Sequence, residues 1–444
     1  MKSYGINASF KDLNLPSIEE QDATVVVPAV KGTPLLKYGE HAYYFLNLKS
    51  QKGIRVAICH KDIILPGLKG FLSANSQDHN TLPLYKALFR KYHYDFSLPE
   101  QIMLMTVPHC VTSLGNGRFF INLWSYYGYI DVDCNERTAK YVRLDDNREN
   151  HVMGSQQLFD KTTNELIYMT YSLEDSMKRA SSPENSAYCR ILKRNADNGK
   201  ASEVWSGDFV DNMHDILINS TRQYCVVPEM GMFKDRSGKP IPSKVLIVDL
   251  NNNRSWTISR FIVAAHAQFD PQEPDIIYFS NHNFEFMHSN IIKLLKNAIY
   301  AIKFLGPASV FKYKLTPEGP VEVGEFTEPD LFRLTNFHVF MHRGHKIITA
   351  MGAPNFIYIA DATTMQLIKK IEVNHTKSIK NLYRDIPCII GTISPSIDGE
   401  KLFVQTTRTL QMVDVSSGRS DIILDHFYHH TSANHMITST DTNW

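Results

Sequence analysis

Six segments of this chain repeat one pattern, which is a short apolar stretch, a tight polar turn and a strand rich in Val, Ile, Phe and Tyr. The turns are centred near Asn116, Thr162, Ser220, Pro271, Arg343 and Asp398. They recur at intervals of roughly 45 to 70 residues, about the length of a four-stranded propeller blade with loop insertions. The repeat therefore predicts an all-β chain folded as a closed ring of blades.

Histidines stand at matching places in these repeats. Four of the six segments begin at or just after His109, His151, His214 or His266, and a fifth, VFMHRGHKIITAMGA, follows His338. Because the first strand of each blade lines the central axis of a propeller, residues far apart in sequence would meet there. Neutral imidazoles are good ligands for iron, zinc, copper and nickel. The pattern therefore predicts a metal site on the axis.

Composition agrees with one large soluble unit, so residues 1–444 are predicted to form a single propeller domain. Hydrophobic residues make up 43% of the chain and aromatic residues 11%, enough for a sizeable core. A net charge of +1 and the lack of a basic run argue against nucleic acid as a partner. The sequence shows neither an apolar leader segment nor an apolar run of membrane-spanning length. The expected location is the cytoplasm.

Three stretches do not follow the repeat. Residues 1–35 are expected to be an irregular lead-in or a closing strand, and residues 65–105 and 288–310 are expected to be helical insertions that cap one face. In the second insertion, apolar side chains recur at helical spacing within residues 291–305, and the lysines lie mostly outside this apolar stripe. Such a helix can pack on a blade, cover an apolar tunnel or make a peripheral contact with a membrane.

Four histidine contexts together carry a resemblance. His214 lies in NMHDILINSTRQYCVVPEM, His151 precedes LFDKTTNELIYMTYS, His266 ends the apolar strand of FIVAAHAQFD, and His435 lies near the C-terminus. In order and spacing, these segments resemble the carotenoid cleavage oxygenase family over about residues 106–444. The resemblance implies a seven-bladed propeller with four axial histidines that hold a non-haem ferrous ion.

The same resemblance implies the ligands and the chemistry. The expected ligands are His151, His214, His266 and His435, and the expected reaction is the oxidation or cleavage of an apolar, alkene-containing substrate. The implied partners are that small molecule and dioxygen. A carotenoid-like, retinoid-like or aryl alkene would fit the implied activity.

The chain departs from the family in the carboxylates that orient the histidines. Ser125 and Thr392 stand where two glutamates are expected, whereas Glu328 stands near a third expected glutamate. Asp215, beside His214, is a further candidate for this orienting role. The departures leave other ligands open, namely His109, His282 and His338, as well as another metal such as Mn²⁺.

Two further functions fit a propeller with axial histidines. One is a metal-dependent lyase similar to oligogalacturonate lyases, which place histidines and a glutamine on manganese; here the sequence His266-Ala267-Gln268 has that spacing. The other is a non-catalytic scaffold for protein partners, since fold does not dictate function. A basic channel would favour the lyase, and an apolar channel would favour the oxygenase.

Overall fold

The computed structural model describes most of the chain in separate ranges. The described residues are 2–31, 40–59, 108–123, 128–143, 151–172, 174–175, 178, 185–210, 213–229, 239, 241–264, 266–286, 302–332, 334, 336–352, 355–373, 379–380, 385–386, 390–406, 409–425 and 437–439.

The first half of the chain forms strands β1 to β17. The N-terminal strands are β1 (Lys2–Gly5), β2 (Ala8–Asn14), β3 (Thr24–Lys31), β4 (Glu40–Asn47) and β5 (Lys52–Cys59). Blade 2 contains β6 (Pro108–Gly115), β7 (Arg118–Leu123), β8 (Gly128–Asp133) and β9 (Thr138–Arg143). Blade 3 contains β10 (His151–Asp160), β11 (Glu165–Ser172), β12 (Ala187–Asn195) and β13 (Ala201–Phe209). Blade 4 contains β14 (Leu217–Ile218), β15 (Tyr224–Pro228), β16 (Ser243–Asp249) and β17 (Arg254–Phe261).

The second half forms β18 to β34. Blade 5 begins with β18 (Ala267–Phe269) and β19 (Ile276–Asn281), is interrupted by the pair β20 (Phe284–Phe286) and β21 (Ile302–Phe304), and ends with β22 (Ser309–Thr316) and β23 (Gly319–Thr327). Blade 6 contains β24 (Phe337–His342), β25 (His345–Gly352), β26 (Phe356–Asp361) and β27 (Gln366–Glu372). After the short pair β28 (Ile379–Lys380) and β29 (Asp385–Ile386), blade 7 contains β30 (Ile390–Pro395), β31 (Lys401–Thr406), β32 (Leu410–Asp414) and β33 (Ser420–Leu424), and β34 (Ile437–Ser439) follows.

Blade 1 closes the ring by joining the two ends of the chain. Its strand order is β34-β3-β4-β5-β2, so the last described strand of the chain pairs with an N-terminal one. The register places Val25 opposite Thr438. Strand β1 adds a fifth strand to the outer edge of blade 2 by pairing with β9. The predicted all-β, seven-bladed propeller is therefore confirmed.

Apolar packing follows the same sevenfold division. Each pair of neighbouring blades encloses one cluster of buried hydrophobic side chains, and the clusters between blades 7 and 1 and between blades 1 and 2 complete the circle. Second strands such as β15 (YCVVP) and β19 (IIYFSN) are buried on both faces because a blade packs on each side. A short continuous apolar run is typical of a strand in that position.

All six predicted turns connect the first and second strands of blades 2 to 7. Four of them contain a non-glycine residue with positive φ, namely Asn116 at 52°, Asn164 at 53°, Arg222 at 61° and Arg343 at 49°. In the turn of blade 7, Gly399 has a φ of 70°, and a Cβ atom there would stand 2.0 Å from the carbonyl oxygen of Met341. The turn needs glycine because it lies directly against the backbone of blade 6.

Two predictions outside the repeats need correction. Of the two alternatives for residues 1–35, the irregular lead-in is wrong and the closing strand agrees with the structure, because β1, β2 and β3 lie there and β3 pairs with β34 in blade 1. The helix predicted for 288–310 does not extend over its last third, because residues 302–304 form β21 and pair with β20. Residues 287–301 and the predicted helical cap at 65–105 lie outside the described residues. In the described part of the chain, no helix is long and apolar enough to cross a membrane.

Candidate metal centre

Three imidazoles meet where the first strands of blades 4 and 5 begin. His214 comes three residues before β14, His266 directly precedes β18, and His282 directly follows β19. The ring centroids of His214 and His266 are 4.6 Å apart, and those of His266 and His282 are 5.4 Å apart. All three residues are buried. The propeller thus gathers histidines separated by up to 68 positions in the sequence, from 214 to 282.

Asp215 joins two of these rings. Its Oδ1 lies 2.7 Å from Nδ1 of His214, and its Oδ2 lies 3.4 Å from Nδ1 of His266. The backbone N–H of Ala267 also donates to Oδ2, at 3.2 Å. One carboxylate therefore spans two neighbouring blades and fixes the orientation of an imidazole from each.

The charge on Asp215 sets the tautomer of His214. Burial alone would raise the pKa of this carboxyl, but the charges and hydrogen bonds of His214 and His266 hold the pKa well below its usual range. An ionised carboxylate accepts hydrogen bonds only, so Nδ1 of His214, 2.7 Å from Oδ1, carries the proton. Nε2 then carries the lone pair that can bind a metal, and a carboxylate on the other ring nitrogen is the usual support of a metal-bound histidine.

His282 is kept neutral by its surroundings. Burial, and then the nearby His266 and His214, lower the pKa of its imidazole well below the usual value, whereas Asp215 acts in the opposite direction. Its Nε2 is buried and has no hydrogen-bond partner among the described residues. A neutral imidazole with an unsatisfied nitrogen is chemically suited to a metal.

The backbone before His266 is strained. Val263 has a φ of 64°, a left-handed conformation that is unusual for a β-branched residue and costs about 1–3 kcal/mol. The conformation is held from both sides. The N–H of Val263 donates to Oγ of Ser243 at 3.0 Å, and its carbonyl accepts the N–H of His282 at 3.1 Å. The strained residue therefore fixes the backbone of the third imidazole.

The spacing of the rings fits shared coordination. Imidazoles bound to one ion through bonds of about 2.1 Å have ring centres about 3.2 Å from it, so neighbouring rings lie roughly 4.5–5.5 Å apart. Both observed separations, 4.6 and 5.4 Å, lie in that range. The ligand atoms of His214, Asp215 and His266 lie within 4.8 Å of one another. Because 2.7 Å between Nδ1 and Oδ1 is a hydrogen-bond distance, the carboxylate supports the rings here.

For two other predicted ligands, His151 and His109, the structure describes only the backbone. His151 is the first residue of β10, the inner strand of blade 3, and His109 lies within β6, the inner strand of blade 2. Their side chains lie outside the described part of the structure, as does the whole of His435, which comes two residues before β34 in the sequence. Their roles as ligands stay predictions.

The structure describes two of the three positions at which an orienting glutamate was expected, Thr392 and Glu328. Ser125 lies outside the described residues. Thr392 is buried in β30, and its hydroxyl accepts a hydrogen bond from Nδ2 of Asn336 at 3.2 Å, so a neutral pair occupies that position. Glu328 directly follows β23, the outermost strand of blade 5, and its role towards a histidine stays a prediction. The carboxylate found on His214 and His266 is Asp215.

His338 is held by the backbone of the next blade. Its Nε2 lies 2.8 Å from the carbonyl oxygen of Ile393, which can only accept, so Nε2 is the donor. Burial first, with a smaller contribution from His266, lowers the pKa of His338 to about 4, although the Ile393 carbonyl acts in the opposite direction.

This shift predicts a pH-dependent stability. His338 takes up a proton near pH 6.5 in the unfolded chain but only near pH 4 in the folded chain. The unfolding free energy is therefore highest above pH 6.5 and falls as the pH falls towards 4. Relative to His338→Gln, the wild type should lose about 2–3 kcal/mol of unfolding free energy between pH 7 and pH 4. Urea titrations at several pH values would measure the difference, and parallel pH curves for the two proteins would contradict it.

Gln268 does not belong to a metal site. Its Nε2 donates to the carbonyl of Val339 at 2.7 Å, and its Oε1 accepts the N–H of Val339 at 2.9 Å. The side chain amide therefore makes two hydrogen bonds to the backbone of Val339, which join blades 5 and 6 as a strand pair would. The His-x-Gln spacing has a structural explanation, and this removes the glutamine ligand on which the lyase interpretation relied.

Comparison with known proteins supports the fold. No protein-family model and no curated protein matches the chain. Among solved structures, the chain is similar to two glutamate mutants of the apocarotenoid oxygenase of Synechocystis, with TM-scores of 0.56 and 0.54 and identities of 11% and 10%. Each alignment covers 99% of this chain and 96% of the oxygenase. At this identity the similarity shows a shared propeller fold.

A weaker similarity is found to another kind of protein. A candidate 6-phosphogluconolactonase from Bacteroides fragilis aligns over 95% of this chain and 100% of its own, with 10% identity and a TM-score of 0.49. A TM-score this low supports no conclusion about the site.

Proposed function

We propose that the protein is a non-haem ferrous oxygenase that cleaves or oxidises an apolar, alkene-containing substrate. The observation that carries the proposal is the pair of buried imidazoles, His214 and His266, held on a shared carboxylate where two inner strands begin. A ferrous ion in such a site supplies the activation of dioxygen, and the protein supplies neutral ligands and a setting that excludes water.

Topology supports the remaining ligands of the proposal. Inner strands of a propeller run in the same direction along the axis, so residues at their starts lie at the same end of the ring. His151 begins the inner strand of blade 3, and His435 precedes β34, the inner strand of blade 1. Together with His214 and His266, they would form the set of four implied by the resemblance.

The structural role of Gln268 favours the oxygenase over the lyase. Both polar atoms of its side chain amide are bonded to the backbone of Val339, so the lyase interpretation loses the glutamine ligand on which it relied. The apolar neighbours of the histidines in the sequence, Met213 and Ala264 among them, pack in the clusters between blades.

The proposal has a direct test. Protein reconstituted anaerobically with ferrous iron is expected to bind about one ion per chain, since the site has one set of imidazoles. It should then consume dioxygen and form two carbonyl products from an apolar polyene or an aryl alkene, as measured with an oxygen electrode and mass spectrometry.

Two results would contradict the proposal. Iron-free protein after reconstitution would support a scaffold without a metal. Tightly bound iron without oxygen-dependent products, over a panel of polyenes and aryl alkenes, would remove the oxygenase activity while leaving the metal site. Protein treated with a chelator before the assay is the control for oxidation by free iron.

A further inference from the structure

His282 is a buried imidazole that the four proposed ligands leave unused. Its exposed fraction is 5%, and within the part of the chain that the structure describes its Nε2 has no hydrogen-bond partner. A buried polar atom without a partner costs about 1–3 kcal/mol, so folded proteins rarely keep one without a compensating contact. A compensating contact for Nε2 is therefore expected when the protein is active.

The blade 5 hairpin brings His282 to the level of His266. His266 precedes β18, and His282 follows β19, its antiparallel partner. The N–H of Ser280 donates to the carbonyl of His266 at 2.9 Å, which fixes the register at the open end of the hairpin. Residues just before the first strand and just after the second therefore share one end of the ring.

The ring of His282 is already held in place. Its backbone N–H is bonded to the carbonyl of the strained Val263, and the ring of Phe284 packs edge-on against it with centroids 5.7 Å apart. The centroid separation of 5.4 Å from His266 is one that two ligands of a single ion can have. Restraints of this kind pre-organise a ligand before the ion binds.

We propose that His282 supplies a further imidazole nitrogen to the metal centre, from the second strand of blade 5. This inference rests on the proposed metal centre. Nε2 is closed to solvent. An ion about 2.1 Å from this nitrogen would supply the contact that it lacks within the described residues.

Cobalt(II) is the probe for the test, because its visible bands report the ligands. His282→Gln should lower cobalt affinity at least about tenfold and change the visible spectrum, since one nitrogen donor is lost. His342→Gln is the matched control. Its ring nitrogens bond the carbonyl of Gly399 at 2.9 Å and Oγ of Ser416 at 3.1 Å, at the far end of the blade 6 hairpin, so affinity and spectrum should not change.

A second variant covers the case in which His282→Gln does not fold. His282→Cys should place a sulfur on the cobalt, visible as a thiolate charge-transfer band and as a scatterer at about 2.3 Å in X-ray absorption. A role in packing alone would not produce a cobalt–sulfur bond.

The outcomes separate this inference from the proposed function. Wild-type protein that binds neither cobalt nor iron would overturn both. Wild-type protein that binds cobalt, with a folded His282→Gln of equal affinity and spectrum, would overturn the role of His282 alone. If His282→Gln does not fold, the absence of a sulfur ligand in His282→Cys decides against it.

Discussion

His214→Ala should lose the bound metal while the propeller stays folded. The substitution removes one ligand nitrogen outright, so the loss of iron affinity should exceed the roughly 10- to 100-fold that removal of a supporting partner causes. Metal content after anaerobic reconstitution and gel filtration would fall from about one ion per chain to nearly none. His214 lies before a two-residue inner strand, so its truncation leaves the blade interfaces intact.

The fold of this variant must be checked independently. Circular dichroism should keep its β-sheet signal, and the thermal midpoint should fall by a few degrees, because one buried side chain is lost. His342→Gln again serves as a control that keeps its metal. Global unfolding of His214→Ala would mark His214 as structural, and full retention of iron would exclude it as a ligand.

Asp215→Ala should weaken the site through two histidines at once. The Nδ1–H of His214 and the backbone N–H of Ala267 lose their acceptor, at about 1–3 kcal/mol for each buried donor, so the unfolding free energy should fall by roughly 2–6 kcal/mol. Iron affinity should fall by roughly 10- to 100-fold, because the ring of His214 is no longer held in the right tautomer and His266 loses its neighbouring carboxylate. Denaturant titration and competitive metal titration measure the two effects.

Asp215→Asn and a change at Asp249 refine this test. An asparagine retains one carbonyl oxygen as an acceptor, so its effects should lie between those of the wild type and the alanine variant. Asp249 is another buried aspartate, in blade 4, whose carboxylate caps the turn at Asn251 and Asn252. Asp249→Ala should lower stability without changing metal affinity. Equal metal affinity in the wild type and Asp215→Ala would contradict the supporting role.

The propeller itself was predictable because its signal is local and repeated. A tight turn between two apolar stretches defines the inner hairpin of a blade, and six copies at similar spacing leave few alternatives to a ring. The closing blade lacked such a signal. Strand β34 has three residues, and its partner β3 is separated from it by most of the chain, so a closing strand within residues 1–35 was only one of two alternatives and its partner was not indicated.

The insertion at residues 288–310 was predicted less well, because its apolar pattern fits more than one kind of secondary structure. Apolar spacing over residues 291–305 is compatible with a helix, yet Ile302–Phe304 pairs with Phe284–Phe286 as a strand. Short apolar runs are ambiguous between helix and strand, and the contact with a partner strand decides.

The site was predictable only in part. Matching repeat positions indicated His214 and His266, because the inner strands lead both to the axis. The contacts of Asp215 with both His214 and His266 depend on the distance between blades 4 and 5, which a local sequence pattern does not predict. The position of His282 follows from the hairpin register, since it comes within two residues of the position opposite His266. The lengths of β18, β19 and the turn between them, read from the sequence, could have placed His282 close to His266.

Anomalous X-ray scattering at the iron edge, from crystals of the reconstituted protein, tests the central claim most directly. A single strong peak beside the imidazoles of His214 and His266, on the side away from Asp215, is the expected result. A peak at another place in the propeller, or no peak in protein that carries iron in solution, would contradict an axial histidine centre.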